Sequence, residues 1–159
     1  MIRYGWIVLA VVAADQCTKA AARTLNGQAF ALIPGVLGVR YAQNTGMAFS
    51  LLSGQPWLLG LLSAVIVAAG ILALRRFRPR GLVMTAAMLM LGGAVGNMID
   101  RLLWGYVVDM LEALFVDFAI FNVADAALTV GCALMIWSLL FRPEDWSGRK
   151  HGSDDGNPT

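Results

Sequence analysis

The stretch LVMTAAMLMLGGAVGNMIDRLL, residues 82–103, is apolar for most of its length and becomes polar only near its end. A helix needs about 20 predominantly apolar residues to cross a bilayer, and this stretch is long enough. Asn97, Asp100 and Arg101 stand three and four positions apart, so they share one face of a helix. The sequence therefore predicts a membrane-spanning helix with a polar stripe near one end.

Three other windows have the same apolar character: Tyr4 to Ala22, Trp57 to Leu74, and Phe118 to Phe141. The composition agrees, because 58% of the residues are hydrophobic and only 14% are charged, against about 25% charged in soluble domains. We expect an all-α membrane protein with four spanning helices, forming one domain over residues 1–142. Residues 143–159 are polar and lack apolar periodicity, which predicts a disordered tail.

Basic residues mark one side of the membrane. Arginines crowd segment 75–80, between the second and third windows, and more basic residues follow the fourth window from Arg142 onward. Basic segments beside spanning helices stay cytoplasmic. We therefore expect both termini inside the cell and segments 23–56 and 104–117 outside. The net charge of +2 is small and follows this topology, which argues against nucleic acid as a partner.

The first window also has features of a cleaved signal peptide. Its apolar core Trp6 to Ala14 precedes small residues at 20–22 that a peptidase could accept. However, Asp15, Gln16 and Lys19 place polar groups where a cleavage region is usually neutral. We expect this window to remain as a spanning helix. Its removal would leave an odd number of spanning helices, and the charges of the loops would then conflict with the positive-inside rule.

The first outer segment has the pattern of a β-strand. Apolar side chains at Leu37, Val39 and Tyr41 alternate with other residues after the turn signal Pro34-Gly35. We expect a small β-sheet on the outer face of the membrane.

The predicted helices carry charges that a passive anchor would not need. A charge at the centre of a spanning helix costs about 2.5 to 3.5 kcal/mol on an insertion scale. With a rise of about 1.5 Å per residue, Lys19, Asp100 and Asn122 lie about 24 to 30 Å from the cytoplasmic ends of their helices. The polar groups therefore converge on the outer part of a hydrocarbon layer about 30 Å thick.

A purely structural role is one interpretation of these groups. Asp15 would pair with Lys19, Asp100 would pair with Arg101, and the asparagines would bridge helices. Asp125 fits this interpretation less well, because its near neighbours on the fourth window are apolar or uncharged.

The reactive side chains that the sequence contains limit the kinds of catalysis that the protein could perform. The single histidine, His151, is in the polar tail, which argues against helical zinc motifs and against Ser-His or Cys-His dyads. Cys17 and Cys132 lie in apolar stretches without a metal-ligand companion, so we expect no disulfide, no metal site and no cofactor. Two close aspartates that share a proton remain as acid and base, and Asp109 and Asp125 are the candidates.

Four blocks of the sequence carry a resemblance to a known family. They are DQCTK at 15–19, NTGMAFS at 44–50, GGAVGNMIDR at 92–101 with VVD at 107–109, and FNVAD at 121–125. In this order, and over about residues 6–140, they resemble the lipoprotein signal peptidases of bacteria, also called signal peptidase II.

The resemblance implies an aspartic endopeptidase of the bacterial inner membrane with Asp109 and Asp125 as catalytic residues. Enzymes of this family remove the signal peptide from diacylglyceryl-modified prolipoproteins, cutting on the N-terminal side of the lipidated cysteine. Globomycin inhibits them. We expect the partners to be such substrates, membrane lipid and globomycin-type inhibitors, and the enzyme to act as a monomer with its active site near the outer face.

Substrate-binding or supporting roles are expected for eight further residues that lie in these blocks. They are Asp15, Lys19, Asn44, Gly46, Asn97, Asp100, Arg101 and Asn122. Met47, Met110 and Ala126 depart from the alanine, phenylalanine and serine that are common in the family, and we expect these changes to affect the shape of the pocket.

Two functions from other classes remain as alternatives. Intramembrane Asp and Asn also line ion paths, so a small proton-coupled transporter is one. A transporter typically shows polar residues through the full membrane thickness or repeated halves with broken helices, whereas the cytoplasmic halves here are almost purely apolar. A structural scaffold is the other, and it requires Asp109 and Asp125 to be dispensable.

Overall fold

The computed structural model describes residues 2–25, 27–46, 55–142 and 145–146. After a short 3-10 turn, the elements are α1 (Gly5–Arg23), β1 (Ala29–Ile33), β2 (Leu37–Asn44), α2 (Pro56–Phe77), α3 (Gly81–Trp104), β3 (Val107–Ala113) and α4 (Val123–Phe141). Each of the four predicted windows overlaps one of the helices. The fold is therefore mostly helical with a small sheet.

Three helices in the described part of the chain are long and apolar enough to cross a membrane. They are Trp57–Phe77 in α2, Gly81–Trp104 in α3 and Val123–Phe141 in α4. α1, whose second half carries Asp15 and Lys19, is not among them.

α3 is the central helix, and α1, α2 and α4 each pack against it. Small residues allow this close approach. A Cβ atom added at Gly96 would lie 2.6 Å from a carboxylate oxygen of Asp15 on α1, and one at Gly93 would collide with the carbonyl oxygen of Ala124 on α4. The glycines of α3 therefore bring the polar stripes of three helices into contact.

The prediction that the fourth helix begins at Phe118 was wrong, since α4 begins at Val123. Asn122 is its N-cap: the Asn122 side chain accepts a hydrogen bond from the backbone N–H of Asp125 at 2.8 Å, and the Asp125 carboxylate accepts one from the backbone N–H of Asn122 at 3.2 Å. This reciprocal capping box fixes the start of α4. The apolar residues before Asn122 are therefore not helical, and Phe121 forms a β-bridge with Leu111. Asn122 therefore does not share a helical face with Asp125.

The sheet is antiparallel with strand order β1-β2-β3. The strand predicted after Pro34-Gly35 is confirmed as β2. β3 was not predicted. Val107 through Met110 are all buried, and this mostly apolar segment lacks the alternation of apolar and polar residues that indicates a strand. β3 also packs against α1 and α3, so the strand that carries Asp109 lies beside the helices.

The predicted basic turn is shorter than expected. α2 continues through Arg75 and Arg76 to Phe77, and Arg78 ends it in a left-handed conformation with φ 46°. Most of the tail predicted to be disordered lies outside the described residues. Within it, Asp145 lies 3.5 Å from the guanidinium of Arg142.

Candidate functional site

Asp109 lies on β3 with only 3% of its surface exposed. One carboxylate oxygen accepts a hydrogen bond from the Asn122 side-chain amide at 2.6 Å, and the other accepts one from the Asn44 amide at 3.0 Å. Burial raises the pKa of Asp109 to about 6, and the nearby charge of Asp125 adds to this rise against the opposing effect of the two amides. Asp109 therefore holds a proton near neutral pH more readily than an ordinary aspartate.

Asp125 lies in the first turn of α4. One of its oxygens accepts a hydrogen bond from the Asn97 side-chain amide at 2.8 Å, and the other accepts from the backbone N–H of Asn122 at 3.2 Å. Asn122 thus contacts both candidate carboxyl groups, through its side chain to Asp109 and through its backbone to Asp125. The chain brings together the two aspartates that the sequence singled out.

Lys19 lies at the centre of the buried charges and is fully buried itself. Its ammonium nitrogen lies 2.8 Å from Asp15, 3.2 Å from Asp100 and 3.0 Å from the side-chain oxygen of Asn97. Its three N–H donors match these three acceptors. A buried charge without such partners would be very costly, so this arrangement compensates the ammonium group.

Of the two pairs that a purely structural interpretation requires, Asp15 with Lys19 is present, whereas Asp100 does not pair with Arg101. Asp100 lies instead 3.2 Å from Lys19 and 3.7 Å from Arg23. Consecutive residues on a helix point in different directions, so Asp100 and Arg101 do not face each other.

Asp15 and Asp100 also hold the backbone next to the candidate pair. Asp100 accepts a hydrogen bond from the N–H of Val108 at 2.9 Å, and Asp15 accepts one from the N–H of Ala124 at 2.9 Å. Val108 and Ala124 each stand immediately before one of the two candidate aspartates. One buried carboxylate therefore anchors β3, and the other anchors the start of α4.

Arg101 contacts a side chain on α2 that the sequence did not single out. Its guanidinium donates to the hydroxyl of Ser63 on α2 at 3.4 Å, and that hydroxyl donates to the Leu59 carbonyl at 2.8 Å. Arg101 also lies within electrostatic range of Asp125 and Asp109. It therefore places a positive charge near the candidate pair. The sequence did not reveal Ser63, because it is a single uncharged residue in an apolar helix.

Asn44 and Gly46 form a local turn at the end of β2. The Asn44 side-chain oxygen accepts the N–H of Gly46 at 3.1 Å, which leaves its amide nitrogen directed at Asp109. Met47, the first departure from the family pattern, lies outside the described residues. Met110 is buried in one cluster with Val108 of β3 and Ala22 of α1, so it contributes to the packing of β3 against α1.

Sequence reasoning missed two polar residues of α1. The Gln16 amide donates to Asp15 at 3.2 Å and to Asp100 at 3.1 Å, linking the two buried carboxylates. Arg23 is near Asp100 and lies 4.9 Å above the ring of Trp104. The signal for Arg23 was its position four residues after Lys19, which puts both on one helix face.

The fold and the cluster define a multi-pass membrane protein with two neighbouring carboxyl groups held by amides at one end of its bundle. A family model described as Signal peptidase (SPase) II matches residues 7–141. The lipoprotein signal peptidase of Streptococcus thermophilus is 39% identical over 143 residues, covering 88% of this chain and 93% of the relative. That of Lactobacillus johnsonii is 43% identical over 146 residues, covering 89% and 94%.

A solved structure described as a bacterial membrane enzyme, determined by the in meso method at 2.3 Å resolution, has the same fold. It superposes with a TM-score of 0.80 at 33% identity, over 91% of this chain and 92% of that one. A second, at 1.9 Å resolution, gives a TM-score of 0.77 at 34% identity over 86% and 92%. The chain belongs to the signal peptidase II family.

Proposed function

We propose that this protein is an intramembrane aspartic endopeptidase that removes signal peptides from diacylglyceryl-modified prolipoproteins. The cut falls on the N-terminal side of the lipidated cysteine. Family membership and the names of the relatives support the substrate. The observation that carries the chemistry is the joint attachment of Asp109 and Asp125 to Asn122. Neither the transporter nor the scaffold alternative accounts for this family membership.

The proposed reaction uses one proton shared by Asp109 and Asp125. Two unit charges about 4 Å apart repel by about 4 kcal/mol at an effective dielectric constant of 20, so such a pair holds one proton. The ionised carboxyl takes a proton from water, the resulting hydroxide attacks the scissile carbonyl carbon, and the protonated carboxyl donates to the carbonyl oxygen. The carbon–nitrogen bond then breaks as the amine of the lipidated cysteine takes a proton from the pair, and a hydroxyl of the tetrahedral intermediate returns its proton to the pair, which restores the shared proton.

The amides of Asn44, Asn97 and Asn122 orient the two carboxyl groups in this mechanism. Each donates to a carboxylate oxygen at 3.0 Å or less. Amides do not titrate, so they fix the carboxyl groups without competing for the shared proton. Orientation of this kind contributes to catalysis because it is in place before the reaction begins.

Four helices span the membrane in this proposal, with α1 as the fourth. α1 has 19 residues, and a rise of about 1.5 Å per residue gives it a length of about 28 Å. Its charged residues Asp15 and Lys19 are fully buried against the other helices, so lipid does not contact them. The positive-inside rule places both termini in the cytoplasm of a bacterial inner membrane and the aspartates near the outer face.

The substrate reaches the site from the membrane in this orientation. A diacylated cysteine holds the scissile bond at the outer surface, where the carboxyl groups lie, while its acyl chains remain beside apolar helix faces. Globomycin-type inhibitors compete for the same site, and the enzyme acts as a monomer. A thiol label is expected to reach the cysteine of an Arg78→Cys variant from the cytoplasmic side only. Labelling from the outer side only would contradict the topology.

Cleavage of one lipidated prolipoprotein by purified variants tests the mechanism. Asp109→Asn and Asp125→Asn are each expected to lower the cleavage rate by about a thousandfold or more, because acid and base catalysis each contribute 10² to 10⁴. Asp117→Asn is the matched control, since Asp117 is exposed between β3 and α4, and its rate should not change. Full activity in either of the first two variants, at normal folding and membrane insertion, would remove the proposed mechanism.

A further inference from the structure

A cavity of about 780 Å³ lies between α2, α3 and α4, away from the paired aspartates. Its walls are apolar from Ile66 and Ala94 to Phe77, and Arg76 and Trp146 stand at its end. From Ile66 to Phe77 the helix rises about 16 Å. The cavity is therefore an apolar groove of half a bilayer's depth that ends at the basic turn.

The end of the groove is positively charged. Arg76 lines it, and Arg75, Arg78 and Arg80 are exposed nearby. Over the ranges that the structure describes, none of these four guanidinium groups lies within ion-pair distance of a carboxylate. The acidic residue closest in sequence to the rim residue Trp146 is Asp145, which lies 3.5 Å from Arg142 and beside Gly81 at the start of α3, and which offsets one of the positive charges there.

We propose that this groove binds one anionic phospholipid of the cytoplasmic leaflet, with an acyl chain between α2 and α4 and the phosphate at Arg76. The proposal rests on the membrane orientation given above. An acyl chain reaches through about half of a 30 Å hydrocarbon layer, which matches the groove. The cytoplasmic leaflet carries anionic lipids that attract basic segments, and a tryptophan at the rim is typical of the membrane interface.

A signal-peptide helix is the competing occupant, and charge argues against it. The segment of a signal peptide that reaches the cytoplasmic side is its positively charged n-region. The guanidinium of Arg76, which lines the rim, would repel that segment, whereas it attracts a phosphate. The lipid site is thus separate from the site of cleavage, and binding there is independent of catalysis.

Native mass spectrometry of the purified full-length protein tests the proposal with phosphatidylglycerol and phosphatidylcholine as probes. The wild type is expected to retain one phosphatidylglycerol in preference to phosphatidylcholine. Arg76→Gln should weaken phosphatidylglycerol retention on the order of fivefold, because one basic residue near an anionic lipid contributes about that factor. Arg75→Gln is the matched control, since Arg75 neighbours Arg76 but does not line the groove.

A second variant fills the groove without changing the charge at its rim. Ala73→Phe, at an exposed position that lines the groove, should lose the bound lipid while Arg76 remains. Gly70→Ala is a milder change, because a Cβ at Gly70 meets only the Leu91 side chain at 3.9 Å. If Ala73→Phe does not fold, Gly70→Ala with Arg76→Gln still tests the site.

Three results would overturn the proposal: equal retention of both lipids, an equal effect of Arg75→Gln and Arg76→Gln, or photo-crosslinking of a signal peptide's cytoplasmic third to the groove. The last would make the groove part of the substrate path. The binding measurement is repeated on Asp109→Asn, which should retain the lipid as the wild type does. Failure of lipid binding therefore leaves the proposed peptidase activity untouched, and failure of cleavage leaves the lipid site untouched.

Discussion

The two ends of α3 pack against different surroundings. At one end, Asp15, Lys19 and Asp100 are fully buried, and each lies within ion-pair distance of an opposite charge. At the other end, Met84 and Met88 pack in an apolar cluster, and the nearby arginines of the basic turn are exposed. We therefore expect changes of side-chain shape to cost less stability at the apolar end than the loss of a charged group at the polar end.

The largest effect on stability is expected from Lys19→Met. This change leaves the buried carboxylate of Asp15 without a cation and that of Asp100 with only the more distant Arg23, and breaking a buried ion pair costs about 3 to 5 kcal/mol. Met88→Leu is the matched change in the apolar end and should cost less than about 1.5 kcal/mol. The measurement is the midpoint of thermal unfolding in detergent. Similar shifts in both variants would show that the two ends do not differ in this way.

A smaller loss of stability and a large loss of activity are expected from Asn122→Ala. The change removes the cap of α4, which costs about 1 to 2 kcal/mol, and the hydrogen bond that orients Asp109. Activity should fall by about a hundredfold, which is the usual lower range for a positioned acid or base.

Asn122→Ser separates the two roles of this residue. A serine hydroxyl also caps helices, so stability should return toward the wild-type value while activity stays low. Recovery of both together in a paired unfolding and cleavage measurement would mean that Asn122 acts only as a cap.

The pH dependence of cleavage tests the protonation of the two carboxyl groups at the polar end of α3. Because the pKa of Asp109 is raised to about 6 by burial, the pair keeps its shared proton below that pH and loses it above. The value of kcat/KM for the free enzyme should therefore fall as the pH rises through about 6. A profile that is flat from pH 5 to 8, with the protein folded throughout, would place the proton elsewhere.

The smallest effect is expected at the sheet surface. Arg40 and Glu112 form an ion pair at 2.8 Å, but the Arg40 side chain is 50% exposed. Breaking it with Glu112→Gln should cost about 0.2 to 1 kcal/mol and diminish further in high salt. A cost close to that of Lys19→Met in the same unfolding measurement would show that burial does not set the strength of these pairs.

The sequence predicted the helices and the two aspartates because those signals are local. Apolar length marks each helix, and Asp109 and Asp125 stood out because no neighbour in sequence neutralises them. The start of α4 was predicted five residues too early, because apolar residues before Asn122 count toward a spanning length even when they are extended. β3 was missed because a strand buried on both faces has no alternation to read.

The sequence by itself determined which segments are apolar enough for a membrane, where the basic turn lies, and that carboxylates are the groups available for catalysis. Only the tertiary structure decided the partners: Lys19 with Asp100, Asp15 with the N–H of Ala124, and Asn122 between the two aspartates. The reason is physical. Hydropathy is a sum over neighbours along the chain, whereas a buried charge is satisfied by whichever groups the packing of distant helices and strands brings within about 3 Å.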